Sequence, residues 1–559
     1  MKGDIMKKIF KNITMLAFLC IIIAGSVFAG QPKEPKIPGL KVYTIFLGRP
    51  TEDYPVEGTI LGDWIEEKTG VQLKWEFPVG DLRQKVGLIV ASGDYPDLID
   101  CRNENQALYD AGALIPLDDL IEQYGPNAKK LYGDKIDMLR RSDGHIYWFP
   151  QLFPYGDKVQ RTGETMGLYI QKRVLKEFGW PIPENLKEAF EMLIEYCKRH
   201  PETDGNKTYA FTALTAGWRE FALFNAPHIF SGHPNDGVGN VDWVDGKWVI
   251  TQFYDTEEAY KVYKLYNQIY LAGYFDTESF VMDYDQYLAK LASGAILAFH
   301  DQWWQFERVQ NLLKKQGNKD RWWVGLPVIM EGYREELEGP LDPQVSEGVG
   351  ITVDCKDPVG ALKYLDFLLS EKCQIKKQWG FEGVDYEIDE NGYFYRTPEQ
   401  IKKWDDSKWL DYDFGQKYWI EICGWHHSSV FSDGKNAVSH RNQPSVFFAK
   451  LKDTEKEVLN AYGKKTWFDF FNKPDMRRAK YFPMWTVKVP TGSDEDIALK
   501  KIEEVRRKYT PRLIMAEKGK YDEMWKEYLA ELDKIPNKDK LNQFYQEQLD
   551  KRVQTAGGY

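Results

Sequence analysis

Residues 64–101 read WIEEKTGVQLKWEFPVGDLRQKVGLIVASGDYPDLIDC, and this stretch decides the class of fold. Its first residues have helical spacing and stop at Gly70, a residue suited to the left-handed turn that ends helices. VQLKWEF (71–77) then reads as a strand. LRQKVGLIVASG (82–93) returns to the helical period and closes on Gly93, and PDLIDC (96–101) is a short apolar strand. With KVYTIFL (41–47) upstream as a buried strand, strand and helix alternate across short loops. That order builds an α/β sheet covered on both faces.

Outward from this stretch the pattern continues. GALIPLDDLIEQYGP (112–126) holds a helix whose start is marked by Pro116 and the acidic pair Asp118 and Asp119, which suit the positive helix N-terminus. DGHIYWFP (143–150) is an Asp-Gly turn followed by an aromatic strand. QLFPYGDKVQRTGETM (151–166) is rich in Gly, Pro and polar residues and reads as a crossover into a second α/β region. That region has helices over 184–199 and 255–272 and a strand over 209–214. VDWVDGKWVI (241–250) is a hairpin turned at Asp245-Gly246, and in ASGAILAFHDQWWQFE (292–307) a strand ends at Asp301 and a helix begins near Trp303. Apolar strands follow at 322–329 and 348–354, then a helix pair over 357–380. From 494 onward the chain is charged, poor in Gly and helical in period.

The 559 residues are enough for two or three domains. Lys and Arg number 74 against 85 Asp and Glu, a net charge of −11, which argues against nucleic acid as the main partner because phosphate binding needs a concentrated basic surface. Aromatics make up 15%, with 19 Trp. Either the core is unusually aromatic or some rings are exposed for a ligand.

Residues 1–29 have the form of a cleaved secretory signal peptide: Lys7, Lys8 and Lys11, an apolar run from Ile13 to Ala24, and Val27-x-Ala29 ahead of Gly30. The apolar run is shorter than a spanning helix requires. Cys20 lies inside that run, without the small residue before it that lipid attachment requires. Residues 30–37 form a Pro-rich tether, and an exported, unanchored chain points to a periplasm. The remaining cysteines, Cys101, Cys197, Cys355, Cys373 and Cys423, are odd in number and irregular in spacing and make no disulfide framework. No CxxC, HExxH or Cys/His cluster offers a zinc site.

Five blocks carry a family resemblance: LIVASGDYPDLI (88–99), GALIPLDDLIEQYGPN (112–127) with DGHIYWFP (143–150), LASGAILAFHDQWW (291–304), DPVGALKYLDFLLSEKCQIKKQWGFEGVDYEIDENG (357–392) and YTPRLIMAEKGKYDEMWKEYLAELDKI (509–535). In this order they resemble bacterial extracellular solute-binding proteins of the sugar-binding kind, the substrate receptors of ABC importers, in a large subgroup of about this length. The resemblance implies a two-lobed, hinged α/β fold of the type II periplasmic-binding-protein kind. It places residues 38–155 with 302–355 in lobe 1, 160–300 with 357–490 in lobe 2, and a C-terminal helical segment, 491–559, across the pair. It also implies a sugar ligand and ABC permease subunits as partners. The number of tryptophans expected near the cleft points to an oligosaccharide rather than a monosaccharide, and no cofactor and a monomeric chain are expected. The periodicities alone reach only a large exported α/β protein with more than one sheet.

A sugar presents hydroxyls at its edges and C–H groups on its faces, so a site for it stacks aromatic rings on the faces and aims polar groups at the edges. His300-Asp301-Gln302-Trp303-Trp304 stands at a strand-to-helix junction, where ligands of open α/β sheets bind. The match to the family's motif puts Asp301, Trp303 and Trp304 at the cleft. Trp148, Trp218 with Arg219, and Trp425 with His426 are further stacking and edge candidates. Arg49 and Asp53, past the first strand, and Asn103 and Asn105, past PDLIDC, are polar candidates. Glu382 and Asp385 resemble the paired carboxylates of a glycosidase but match a structural motif of the family. Some relatives carry a calcium loop, yet the equivalent segment here would open on His200 and close on Phe211, neither of which supplies a carboxylate.

These residues point to a non-enzymatic oligosaccharide receptor. A secreted glycoside hydrolase or lyase would carry the same aromatics, and a receptor for peptides or uronates would place Arg219 or Arg49 in the cleft.

Overall fold

A computed structural model describes residues 40–49, 57–315, 320–341 and 343–558. The leader, the tether and Asp53 lie outside the described residues. The first stretch folds as its spacing predicts. Strand β1 (Lys41–Leu47) is followed by helix α1 (Ile60–Thr69), β2 (Val71–Glu76), α2 (Leu82–Ser92) and β3 (Leu98–Asp100). Thr59 caps α1 by accepting from the Gly62 N–H, and Asp81 caps α2 by accepting from the Gln84 N–H. Gly70 and Gly93 end the two helices in the left-handed conformation.

Two sheets organise the rest. The chain adds β4 (Trp148–Pro150), β5 (Met166–Gln171), β6 (Tyr209–Phe211) and β7 (Ile296–Gln302), and α3 (Trp303–Lys315) follows directly. It continues through β8 (Trp323–Leu326), β9 (Gly348–Ile351), α4 (Pro358–Leu369) and α5 (Glu371–Trp379). The first sheet has the order β2-β1-β3-β9-β4, with β1, β2 and β3 parallel and β9 antiparallel to both its neighbours. The second has the order β8-β5-β7-β6, with β5 antiparallel to β7 and β8. At Gly348 a Cβ would stand 2.0 Å from the Phe149 carbonyl oxygen, so only glycine lets β9 approach β4 there.

The pairings correct the expected division of the chain. Residues 302–341 belong with the second sheet: β8 pairs with β5, and Phe306, Val309 and Leu313 of α3 sink into that core. Residues 357–446 belong with the first sheet, because Leu362, Leu365, Trp379, Phe394 and Val446 share a core with Ile45, Leu98 and Val349. From Val458 to Met484 the chain packs in the second core again. It therefore crosses between lobes after Phe153, after Leu337 and after Val446.

The C-terminal helices α6 (Asp494–Ile514), α7 (Tyr521–Asp533) and α8 (Lys538–Thr555) bury their apolar faces in the second core. The last also touches segment Gly133–Leu139 of the first lobe. The five cysteines of the described residues are free and buried, and no helix among those residues is long and apolar enough to cross a membrane.

The crossovers are stitched together. Arg161 of the first reaches Glu338 of the second at 2.9 Å and also donates to the Gly339 carbonyl at 2.9 Å. Glu338 accepts from the Thr165 N–H and hydroxyl at 2.6 and 2.7 Å. Thr162 accepts the Trp467 N–H and donates to the Arg441 carbonyl, which ties in the third passage.

Candidate ligand-binding cleft

The candidate groups of each lobe adjoin the crossovers. In the first lobe Gln151 directly precedes the first crossover and Glu347 closely follows the second. In the second lobe the Trp303 N–H donates to the carbonyl of Thr165, where the first crossover ends.

On the second lobe, β7 delivers Asp301 and Gln302 to the sheet end and α3 starts at once with Trp303 and Trp304. Asp301 is fully buried. It accepts from the Gln302 N–H at 2.8 Å, the Gln305 amide at 2.9 Å and the Tyr287 hydroxyl at 3.0 Å. A carboxylate here suits the positive start of α3 and holds the turn that presents the tryptophans. Burial pushes its pKa up to about 7, opposed by these donors and by the nearby Arg219.

The rings are open to solvent. Trp218 is 62% exposed, Trp304 43% and Trp303 36%. Gly217, at φ +56°, turns the chain so that Trp218 stacks on Trp304, with ring centres 5.8 Å apart and planes 24° apart. Phe221 extends the platform, 6.2 Å from Trp218. The Arg219 guanidinium lies over Trp218 at 4.3 Å and Tyr284 at 4.1 Å.

The first lobe offers a polar network instead. Arg49, past the end of β1, pairs with Glu421. Arg102, past β3, meets Glu347 at 2.8 Å and Glu421 at 3.2 Å, and donates to the Gln151 amide oxygen at 2.6 Å. Gln151 in turn donates to Glu421 at 2.6 Å. Burial, with Arg102 beside it, lowers the Arg49 guanidinium to about 10, and burial raises Glu347 and Asp100. Asn103 is exposed on the turn next to Arg102, whereas Asn105 is a buried brace between the Cys101 N–H and the Gly348 carbonyl.

Two expected stacking rings are corrected to core residues. Trp148 is 3% exposed, donates its indole N–H to the Val345 carbonyl at 2.9 Å and is covered by Arg141 at 4.4 Å. Trp425 is 2% exposed, donates to the Leu369 carbonyl at 2.8 Å and stacks on Tyr155 at 4.2 Å. His426 is half-buried and its Nδ1 accepts from the Ser428 N–H, which shapes the local turn. The structure thus gathers Trp218, Arg219, Asp301, Trp303 and Trp304 on one lobe and leaves Trp148, Trp425 and His426 out of that group.

Arg102, Gln151, Glu347, Glu421, Phe221 and Tyr284 escape sequence reasoning. Arg102 and Gln151 follow strand ends directly, a signal that was available. Glu347 and Glu421 join the network from residues far away in sequence, which no local pattern reports.

The segment equivalent to the relatives' calcium loop is held by ion pairs of its own. His200 is engaged with Glu177 at 2.8 Å, and both Asp204 oxygens face the Arg321 guanidinium. Arg173 donates to the Thr203 hydroxyl at 3.0 Å, so guanidinium groups anchor this hairpin. Asp385 also has a structural place: it is buried and accepts from the Phe381 N–H at 2.9 Å and from Lys403 at 2.8 Å.

The chain resembles known substrate-binding proteins in sequence and in fold. It is 29% identical over 239 residues to the fructooligosaccharide ABC transporter substrate-binding protein FusA of Streptococcus pneumoniae, a match spanning 40% of this chain and 43% of that relative. The structure of FusA with kestose superposes with a TM-score of 0.60 at 20% identity, covering 91% of this chain and 99% of that one. The alginate-binding protein AlgQ2, in a structure without calcium ion, superposes with a TM-score of 0.59 at 18% identity over 91% and 98%. At these identities the structures share the fold. The family model for bacterial extracellular solute-binding proteins matches residues 50–375, more than half of the chain, and the chain belongs to that family.

Proposed function

We propose that this protein is the exported receptor of an ABC importer, which captures an oligosaccharide between its lobes and hands it to the membrane permease without turning it over. The observation that carries this reading is the Trp218–Trp304 pair: two large rings stacked on each other yet exposed, at the end of a sheet beside the crossovers. Exposed stacked indoles fit the C–H faces of successive sugar rings. Arg49, Arg102 and Asn103 on the opposite lobe supply edge contacts, and Arg219 supplies one beside the platform. A chain long enough to touch both lobes favours the closed form by its added contacts there. The protein works as a periplasmic monomer.

A panel of oligosaccharides screened by thermal shift, followed by calorimetry, tests this: a ligand raises the unfolding midpoint by mass action and binds one to one. Release of new reducing ends during incubation would instead establish a carbohydrate-active enzyme.

A further inference from the structure

On the first lobe the positive groups of the candidate site each have a carboxylate partner. Arg49 is paired with Glu421, and Arg102 is held between Glu347 and Glu421 with Gln151 bridging the last contact. On the second lobe Arg219 lies over the Trp218 and Tyr284 rings instead, at 4.3 and 4.1 Å. The first-lobe side chains are only partly open, with Arg49 27% and Arg102 23% exposed and Glu347 7%. A ligand entering here therefore meets ion pairs already made.

That arrangement reads hydroxyls and repels carboxylates. A hydroxyl accepts from a guanidinium N–H and donates to a carboxylate at the same time, so a dense Arg/Glu/Gln network satisfies it in both senses. An entering carboxylate only accepts. It would have to displace Glu421 or Glu347 from its guanidinium and then sit beside the carboxylate it displaced. The fold leaves this choice open, since it is shared by a structure with kestose and by an alginate-binding protein.

We infer that the paired Arg49–Glu421 and Arg102–Glu347 groups make this cleft selective for uncharged, hydroxyl-rich chains over carboxylated ones, an inference that rests on the receptor reading above. Calorimetry on the full mature chain compares a broad set of neutral oligosaccharides with uronate oligosaccharides of matched length. The expected result is binding to a neutral chain, uronates at least about tenfold weaker, and an affinity for the neutral chain that changes less than about twofold when salt is raised. Glu421→Gln releases Arg49 and is expected to narrow the gap by strengthening uronate binding. Uronate binding by the native protein as tight as any neutral chain, weakening with salt, would overturn the inference and leave the receptor reading in place. Binding to neither set would overturn both. Should Glu421→Gln fail to fold, the two ligand sets and the salt dependence on the native protein still decide the matter.

Discussion

Arg161 and Glu338 meet at 2.9 Å although they stand on different crossovers, with 8% and 0% of their side chains exposed. Glu338 also accepts both donors of Thr165, at the entry to β5. The pair ties together two of the three passages between lobes, so any change in the angle between lobes has to bend the chain around it.

Removing one partner leaves the other charged and buried, which typically costs about 3–5 kcal/mol. Glu338→Ala is therefore expected to lower the thermal midpoint sharply, and the double variant Arg161→Met, Glu338→Leu to recover much of the loss. Calorimetric unfolding of the three proteins checks this. A single variant as stable as the parent would show that the pair holds nothing.

The five tryptophans at issue are expected to divide into two classes on substitution. Trp148→Ala opens a core position and is expected to cost about 3–5 kcal/mol of stability. Trp218→Ala and Trp304→Ala remove exposed rings and should leave the midpoint nearly unchanged while weakening ligand binding by about tenfold to a hundredfold. Thermal melts and calorimetry on the same samples separate the two effects.

Two buried imidazoles, His300 and His228, are expected to contribute stability that acid removes, against an opposite contribution from the raised Asp301 carboxyl. Burial depresses His300 to about 4 and His228 to about 3, with His233 nearby adding to the latter. Each is neutral in the native protein and titrates near 6.5 once unfolded. Below pH 6.5 the unfolded chain binds more protons, so this stability is complete above 6.5 and is lost as pH falls toward 4 for His300 and 3 for His228. The loss from His300 is about 3 kcal/mol. Denaturant unfolding of the parent and of His300→Leu across pH 7 to 4 is expected to show it as a stability difference that moves in favour of the variant as pH falls.

Calcium is expected to have no effect on stability. The Asp204 carboxylate that a calcium loop would use is engaged by Arg321. Thermal midpoints in millimolar calcium and in chelator should coincide, and a calcium-dependent rise would refute the guanidinium clamp.

Much of the fold is legible along the chain. The strand KVYTIFL, the Asp-Gly hairpin with Trp243 opposite Trp248, and the strand-to-helix junction at Asp301-Trp303 stand where the spacing puts them. These are local features, set by caps, turns and periods within a dozen residues. Membership of a lobe is not local. The apolar face of α4 has the same period whichever sheet it covers, and the sequence expectation assigned it to the wrong one.

What the sequence by itself determined was the alternation that builds an α/β protein, the family, and the strand-to-helix junction that carries Trp303 and Trp304. Only the tertiary structure decided which aromatic residues are available there. Trp148 and Trp304 both follow a strand pattern and a turn, but Val345 and Arg141 arrive from remote segments to cover the first, and nothing covers the second to that degree. Burial is a property of what comes to lie against a side chain, and in a chain that crosses between lobes three times those neighbours are distant in sequence.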